Sequence, residues 1–236
     1  MKLVVGNFKM NLNSTEINEY ISFFKDNNYS NVIFAPSYIY LERFINNDLK
    51  VASQDIAFEE KGAFTGDISA SQLKSIGVNY AIIGHSERRK YYDDNKYVNE
   101  KIKCSLNNHI VPILCVGETK EERDNRKEKE VIENELDTAL KSIDKNLLHD
   151  IIIAYEPIWS IGTGIIPTNE EILEVISFIK DYLLHKYNIN SKVLYGGSVN
   201  NNCIDELEKI SGIDGYLVGG CSIKKDDFKK LVDRLQ

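Results

Sequence analysis

A chain of 236 residues with 42% hydrophobic and 28% charged residues has the composition of a soluble globular protein and room for one or two domains. A formal charge of −7 and a pI near 5.3 argue against nucleic acid or an anionic membrane surface as a partner. A small phosphate is not excluded, because it answers to the local field.

Met1-Lys2-Leu3-Val4-Val5 enters a strand directly, with no signal-type apolar run, and no segment reaches the length of a membrane-spanning helix. Cys104, Cys115, Cys203 and Cys221 are scattered without a Cys-x-x-Cys pair, and His85, His109, His149 and His185 show no ligand spacing. The expectation is a cytoplasmic protein with reduced thiols and no metal or other cofactor.

Short apolar runs then alternate with longer polar segments. The strands are expected at 3–5, 32–34, 50–52, 80–83, 111–115, 151–153, 193–195 and 216–218, with Pro112 weakening the fifth. Helices are expected at 14–26, 38–46, 69–75, 96–106, 121–143, 169–186, 201–209 and 225–235. Thr119-Lys120-Glu121-Glu122 and Thr168-Asn169-Glu170-Glu171 fit the capping box, an N-cap threonine with an acid three residues later. Eight βα pairs in this length favour one closed α/β domain over residues 1–236, a (β/α)8 barrel of eight parallel strands, over an open doubly wound sheet. Chemistry in such a barrel sits on the loops at the carboxyl ends of the strands.

Several of those loops carry groups suited to chemistry. After the first strand, Asn7 offers a hydrogen-bond donor and Lys9 a cation, although a lone lysine is ordinarily just solvated. After the fourth, Gly84-His85-Ser86-Glu87-Arg88-Arg89 places His85 at a helix start, where positive charge is disfavoured and a neutral imidazole is expected. After the sixth, Ala154-Tyr155-Glu156-Pro157-Ile158-Trp159-Ser160-Ile161-Gly162-Thr163-Gly164 delivers a carboxylate at the strand's end. Pro157 stops that strand, and a glycine-bearing tip follows that can move and bring amides near an anion. By itself this stretch is equally an ordinary connection with a surface glutamate. Gly196-Gly197-Ser198 and Gly219-Gly220 follow the last two strands, where barrels recurrently cradle phosphate. A dinucleotide reading of Gly162-x-Gly164 fails because Pro167 stands at the third glycine position, and no P-loop pattern is present.

Tyr155-Glu156-Pro157-x-Trp159-x-Ile161-Gly162-Thr163-Gly164, Asn7-x-Lys9-Met10-Asn11 and Gly84 to Arg89 together resemble the triosephosphate isomerase family. The matches run in the family's order from Gly6 to Ser222. The resemblance implies a TIM barrel that interconverts dihydroxyacetone phosphate and glyceraldehyde 3-phosphate. Glu156 would be its base, His85 its electrophile, and Lys9 and Asn7 would stabilise charge. Glu87 would be a neighbouring acid in the proton network, and Gly162, Ser198, Gly219 and Gly220 would hold the phosphate. Gly62-Ala63-Phe64-Thr65-Gly66-Asp67-Ile68-Ser69 resembles the family's third loop, with Asp67 for glutamate, and implies a homodimer through Phe64 and Thr65. The rival reading is a non-catalytic phosphosugar-binding or interaction protein on the same barrel.

The chain departs from the family at Phe8, where tryptophan is usual, and at Ser160, where alanine is usual. It departs again at Pro167, which lacks the N–H to which the tyrosine matching Tyr195 would bond when the lid shuts.

Overall fold

A computed structural model describes residues 1–27 and 29–236. Among them, eight strands form one sheet: β1 (Leu3–Asn7), β2 (Val32–Ala35), β3 (Ala52–Ser53), β4 (Tyr80–Ile83), β5 (Val111–Val116), β6 (Ile152–Tyr155), β7 (Lys192–Tyr195) and β8 (Gly215–Val218). The order is β2-β1-β8-β7-β6-β5-β4-β3, and every pairing is parallel. A single parallel bridge, Phe34 to Val51, joins the two ends of the sheet and closes it into a (β/α)8 barrel.

The strands read as continuous apolar runs because both of their faces are buried. Val5, Ile33, Ile82, Ile113, Ala154, Leu194 and Leu217 point inward and fill the barrel. The alternate residues, among them Val4, Phe34, Ile83, Leu114, Ile153 and Val193, pack outward against the helices. Pro112 fits its central strand because the β5–β6 ladder begins only at Ile113, after the missing N–H.

The surrounding helices are α1 (Ser14–Phe24), α2 (Leu41–Ile45), α3 (Ala70–Ser75), α4 (Ser86–Tyr91), α5 (Asn95–Asn107), α6 (Lys120–Asp124), α7 (Glu128–Ala139), α8 (Asn169–Tyr182), α9 (Ile204–Leu207) and α10 (Lys225–Asp233). Both threonine capping boxes form, on α6 and α8. The single helix expected over 121–143 is instead two, broken where Arg126 takes a left-handed φ of 56°. The helix expected over 38–46 opens with a 3-10 turn, and α4 is an additional helix carried by the His85 motif. The third strand is shifted toward the chain's C-terminus relative to 50–52. Among the described residues, no helix is long and apolar enough to cross a membrane.

Phe8, at the exit of β1, is fully buried with its ring 4.7 Å from that of Tyr20 and 6.0 Å from that of Phe44. Tyr20 in turn donates its hydroxyl to the Ser222 carbonyl at 2.7 Å. The phenylalanine therefore anchors the first loop through aromatic packing, with no polar atom to satisfy.

Candidate active site

The carboxyl ends of β1, β4, β6, β7 and β8 open into one cavity of about 380 Å³. Asn7, Lys9, His85, Glu156, Gly162, Ser198, Gly219 and Gly220 all line it. Glu87 does not; its half-exposed carboxylate stands at the rim and accepts from Lys9 Nζ at 2.8 Å.

Lys9 reaches the mouth by a strained turn with φ 52°. Local bonds hold that turn: Lys9 N–H donates to Asn7 Oδ1 at 3.0 Å, and Gln54 Nε2 donates to the Lys9 carbonyl at 2.8 Å. With its oxygen so engaged, the Asn7 carboxamide has its NH2 left for the cavity. Beneath both, the buried Ser222 hydroxyl bridges the Asn7 carbonyl (3.1 Å) and the Gly219 carbonyl (2.7 Å). It thereby ties the β1 loop to the β8 loop. Gly219 approaches the lysine so closely that a Cβ there would lie 3.2 Å from Lys9 Cε.

His85 caps α4. Its Nδ1 accepts the Glu87 N–H at 3.2 Å, so the ring's proton in this arrangement is on Nε2. Nε2 lies 3.1 Å from Glu156 Oε1, and Glu156 Oε2 accepts the Ser86 N–H at 3.0 Å. Both side chains are almost wholly buried. Burial pulls the His85 pKa down, but the adjoining Glu156 carboxylate outweighs it and the net displacement is upward. Burial pushes Glu156 up, yet His85 and the Ser86 amide hold it below the ordinary carboxylate range. A second proton on the ring would forfeit the Glu87 N–H bond, which favours the neutral tautomer with Nε2–H facing the carboxylate.

The loop after β6 rises over the cavity as a 3-10 turn, Ile158–Ser160, followed by Gly162 and Gly164 at φ 70° and 77°. Side chains tie its two ends. Ser160 Oγ donates to the Ile165 carbonyl at 2.7 Å, and Ser198 Oγ donates to the Ser160 carbonyl at 2.7 Å. Trp159 Nε1 donates to the buried Glu118 at 2.8 Å, as does Tyr155 OH at 3.2 Å. The Tyr195 hydroxyl is buried close to Ser160 and has no partner at hydrogen-bonding geometry among the described residues.

Sequence reasoning missed Ser86, Glu118, Ser222 and Gln54. Glu118 had a signal, since it follows β5 much as Glu156 follows β6. Ser86 and Ser222 act on or through backbone groups and had none.

Fold and cavity together define an α/β-barrel enzyme with a carboxylate, an imidazole and an ammonium gathered at the carboxyl ends of its strands, beside a glycine-rich wall. The family profile described as "Triosephosphate isomerase" matches residues 2–235. The chain is 42% identical over 242 residues to triosephosphate isomerase of Mesomycoplasma hyorhinis, covering 98% of this chain and 97% of that one. It is 37% identical over 243 residues to that of Clostridium botulinum (strain Langeland / NCTC 10281 / Type F), covering 98% of each. Against that of Mycoplasmopsis agalactiae the identity is 41% over 254 residues, covering 98% of this chain and 95% of the other. The chain belongs to the triosephosphate isomerase family.

Proposed function

We propose that this chain interconverts dihydroxyacetone phosphate and D-glyceraldehyde 3-phosphate through an enediolate, as a step of glycolysis and gluconeogenesis, and that residues 1–236 form one catalytic domain. The observation that carries the site assignment is the pairing of Glu156 and His85, 3.1 Å apart and buried, in a cavity whose other side is lined by Gly162, Ser198, Gly219 and Gly220.

In this reading Glu156 removes a proton from the carbon beside the carbonyl and returns it to the neighbouring carbon. His85 Nε2–H polarises the carbonyl and moves protons between the two oxygens. Lys9 and Asn7 stabilise the negative charge that grows on the enediolate, since pre-placed donors act most strongly where charge develops. Glu87 holds the Lys9 ammonium and stands 3.8 Å from His85 Nδ1, which suits a supporting place in the proton network. Backbone amides of Gly162, Ser198, Gly219 and Gly220 receive the phosphate. Closure of the loop over the cavity excludes water and strengthens every one of these interactions. The reaction shifts a proton between adjacent carbons and transfers no electrons to a carrier, so no redox cofactor is called for.

A cytoplasmic homodimer completes the proposal. Phe64 and Thr65 are exposed on their loop, and Phe64 packs edge-on against Phe58 at 5.4 Å. Phe58, Tyr92 and Tyr97 line a neighbouring cavity of about 330 Å³, and Tyr92 and Tyr97 remain exposed. Exposed aromatics around a concavity favour a protein partner.

The test is a coupled assay with glyceraldehyde 3-phosphate on the wild type and on Glu156→Gln. The variant is expected to lose about 10²- to 10⁴-fold in kcat while keeping its fold, the range for removing a positioned base. A folded wild type that binds the triose phosphate without turning it over would sink the isomerase in favour of a binding protein. Unchanged turnover in the variant would remove Glu156 from its role.

A further inference from the structure

An ion pair outside the cavity is left unused by the mechanism above. Glu135, on α7, is about nine-tenths buried, and Arg89, on α4, is only slightly more open. Neither lines the cavity. Arg89 Nη1 lies 3.5 Å from Glu135 Oε1, longer than a tight ion pair. Desolvation offsets the attraction of such a pair, so a purely stabilising role explains it poorly. Its hydrogen bonds are more informative.

Arg89 uses each of its nitrogens. Nε donates to the Gly84 carbonyl at 2.7 Å, Nη2 to the Cys115 carbonyl at 3.2 Å, and Nη1 to Asn95 Oδ1 at 2.5 Å. Gly84 is the residue before His85, and Cys115 lies in β5. Glu135 Oε2 accepts the Gly117 N–H at 2.9 Å, in a wholly buried contact. Gly117 is packed on the backbone of Glu156, and a Cβ at that position would fall 1.8 Å from the Glu156 carbonyl oxygen. Glu156 N–H itself donates to the Val116 carbonyl at 2.8 Å, one residue earlier. One buried pair therefore grips the backbone on which each member of the Glu156–His85 couple is mounted.

We infer that Arg89 and Glu135 are positioning residues, which set the separation of His85 and Glu156 through the backbones of Gly84 and Gly117. The inference rests on the isomerase reading. Side-chain placement matters at this level because displacements near 1 Å cost large factors in rate.

The test compares Glu135→Met, which keeps volume and loses the acceptor, with Glu135→Gln, which keeps an acceptor for Gly117 N–H. The measurements are kcat and KM of folded protein, with the His85 ring resonances of the ligand-free enzyme as a second readout. Glu135→Met is expected to lower kcat at least tenfold with KM changed less than about twofold, and to shift the His85 resonances; Glu135→Gln is expected to restore kcat to within about threefold of wild type. If Glu135→Met does not fold, Arg89→Lys carries the same expectation, because an ammonium cannot span the Gly84 and Cys115 carbonyls as the guanidinium does. Wild-type kcat in a folded variant with only its Tm lowered would overturn the inference, as would a loss confined to KM. Failure of the isomerase reading is distinct, since it would appear as absent turnover in the wild type.

Discussion

Glu156 is a carboxylate whose surroundings pull in opposite directions. Burial alone would favour its neutral form, yet the imidazole at 3.1 Å and the Ser86 amide at 3.0 Å hold it ionised below the ordinary glutamate range. An ionised base is what proton abstraction at neutral pH requires. Because its folded-state pKa is depressed, the ionised side chain adds stability above the ordinary glutamate range, and that contribution is lost as pH falls through the depressed value. Carbon-13 titration of the ligand-free protein should find Glu156 with a midpoint below that of its exposed glutamates. His85→Gln should move the midpoint up, because the imidazole supplies the largest of the lowering influences. A wild-type midpoint above the exposed glutamates would contradict the geometry. In the proposed mechanism the His85–Glu156 contact yields when substrate arrives, because the substrate's carbonyl would take the place of the carboxylate at Nε2.

The loop after β6 is fastened differently from what the resemblance implies. Pro167 has no N–H, so the bond expected from the resemblance between Tyr195 and that position cannot form. Consistent with this, the Tyr195 hydroxyl is buried without a hydrogen-bond partner among the described residues. The Ser160 hydroxyl instead ties the loop's two ends through the Ile165 carbonyl, and Ser198 ties the loop to β7's exit. An unpaired buried hydroxyl costs desolvation without return, so Tyr195→Phe should leave stability unchanged or raise it by up to about 1 kcal/mol, with kcat altered less than about twofold. Thermal unfolding and steady-state kinetics check both. A fall of more than about 1 kcal/mol would mean that the hydroxyl finds a partner in solution, with Ser160 the nearest candidate.

At the scale of the whole molecule, the barrel turns eight separate strand ends into one rim, and this is what brings Lys9, His85 and Glu156 to the wall of one cavity across 147 positions of chain (156 minus 9). The rim also carries the surface that the proposed dimer would bury. Phe64 is a large apolar side chain at 39% exposure on an exposed loop, packed on Phe58, which in turn meets Tyr97 at 39% exposure and shares a cavity with Tyr92 at 66%. Replacing a central aromatic by a charge is strongly unfavourable in a buried interface and nearly neutral on a free surface. Phe64→Asp should therefore shift the sedimentation profile from dimer to monomer while leaving the far-UV dichroism unchanged. A monomeric wild type, or a variant that remains dimeric, would count against the proposed interface.

The sequence by itself determined the alternation of strands and helices, the closed barrel, and the set of candidate residues. Each of these is written locally, in apolar runs, capping boxes and short motifs at strand ends. It misjudged elements where local pattern is blind to backbone conformation. The polar run over 121–143 carries neither glycine nor proline to mark a break, yet the left-handed Arg126 divides it and the second helix ends at Ala139, before the left-handed Ser142. What the tertiary structure alone decided was which group meets which. That Glu156 rests between His85 and Ser86, that Ser222 ties the loop after β8 to Asn7, and that Arg89 and Glu135 reach Cys115 and Gly117 are all contacts distant in sequence. Several of them run through backbone amides and carbonyls, which every residue but proline possesses in full and no sequence pattern can distinguish.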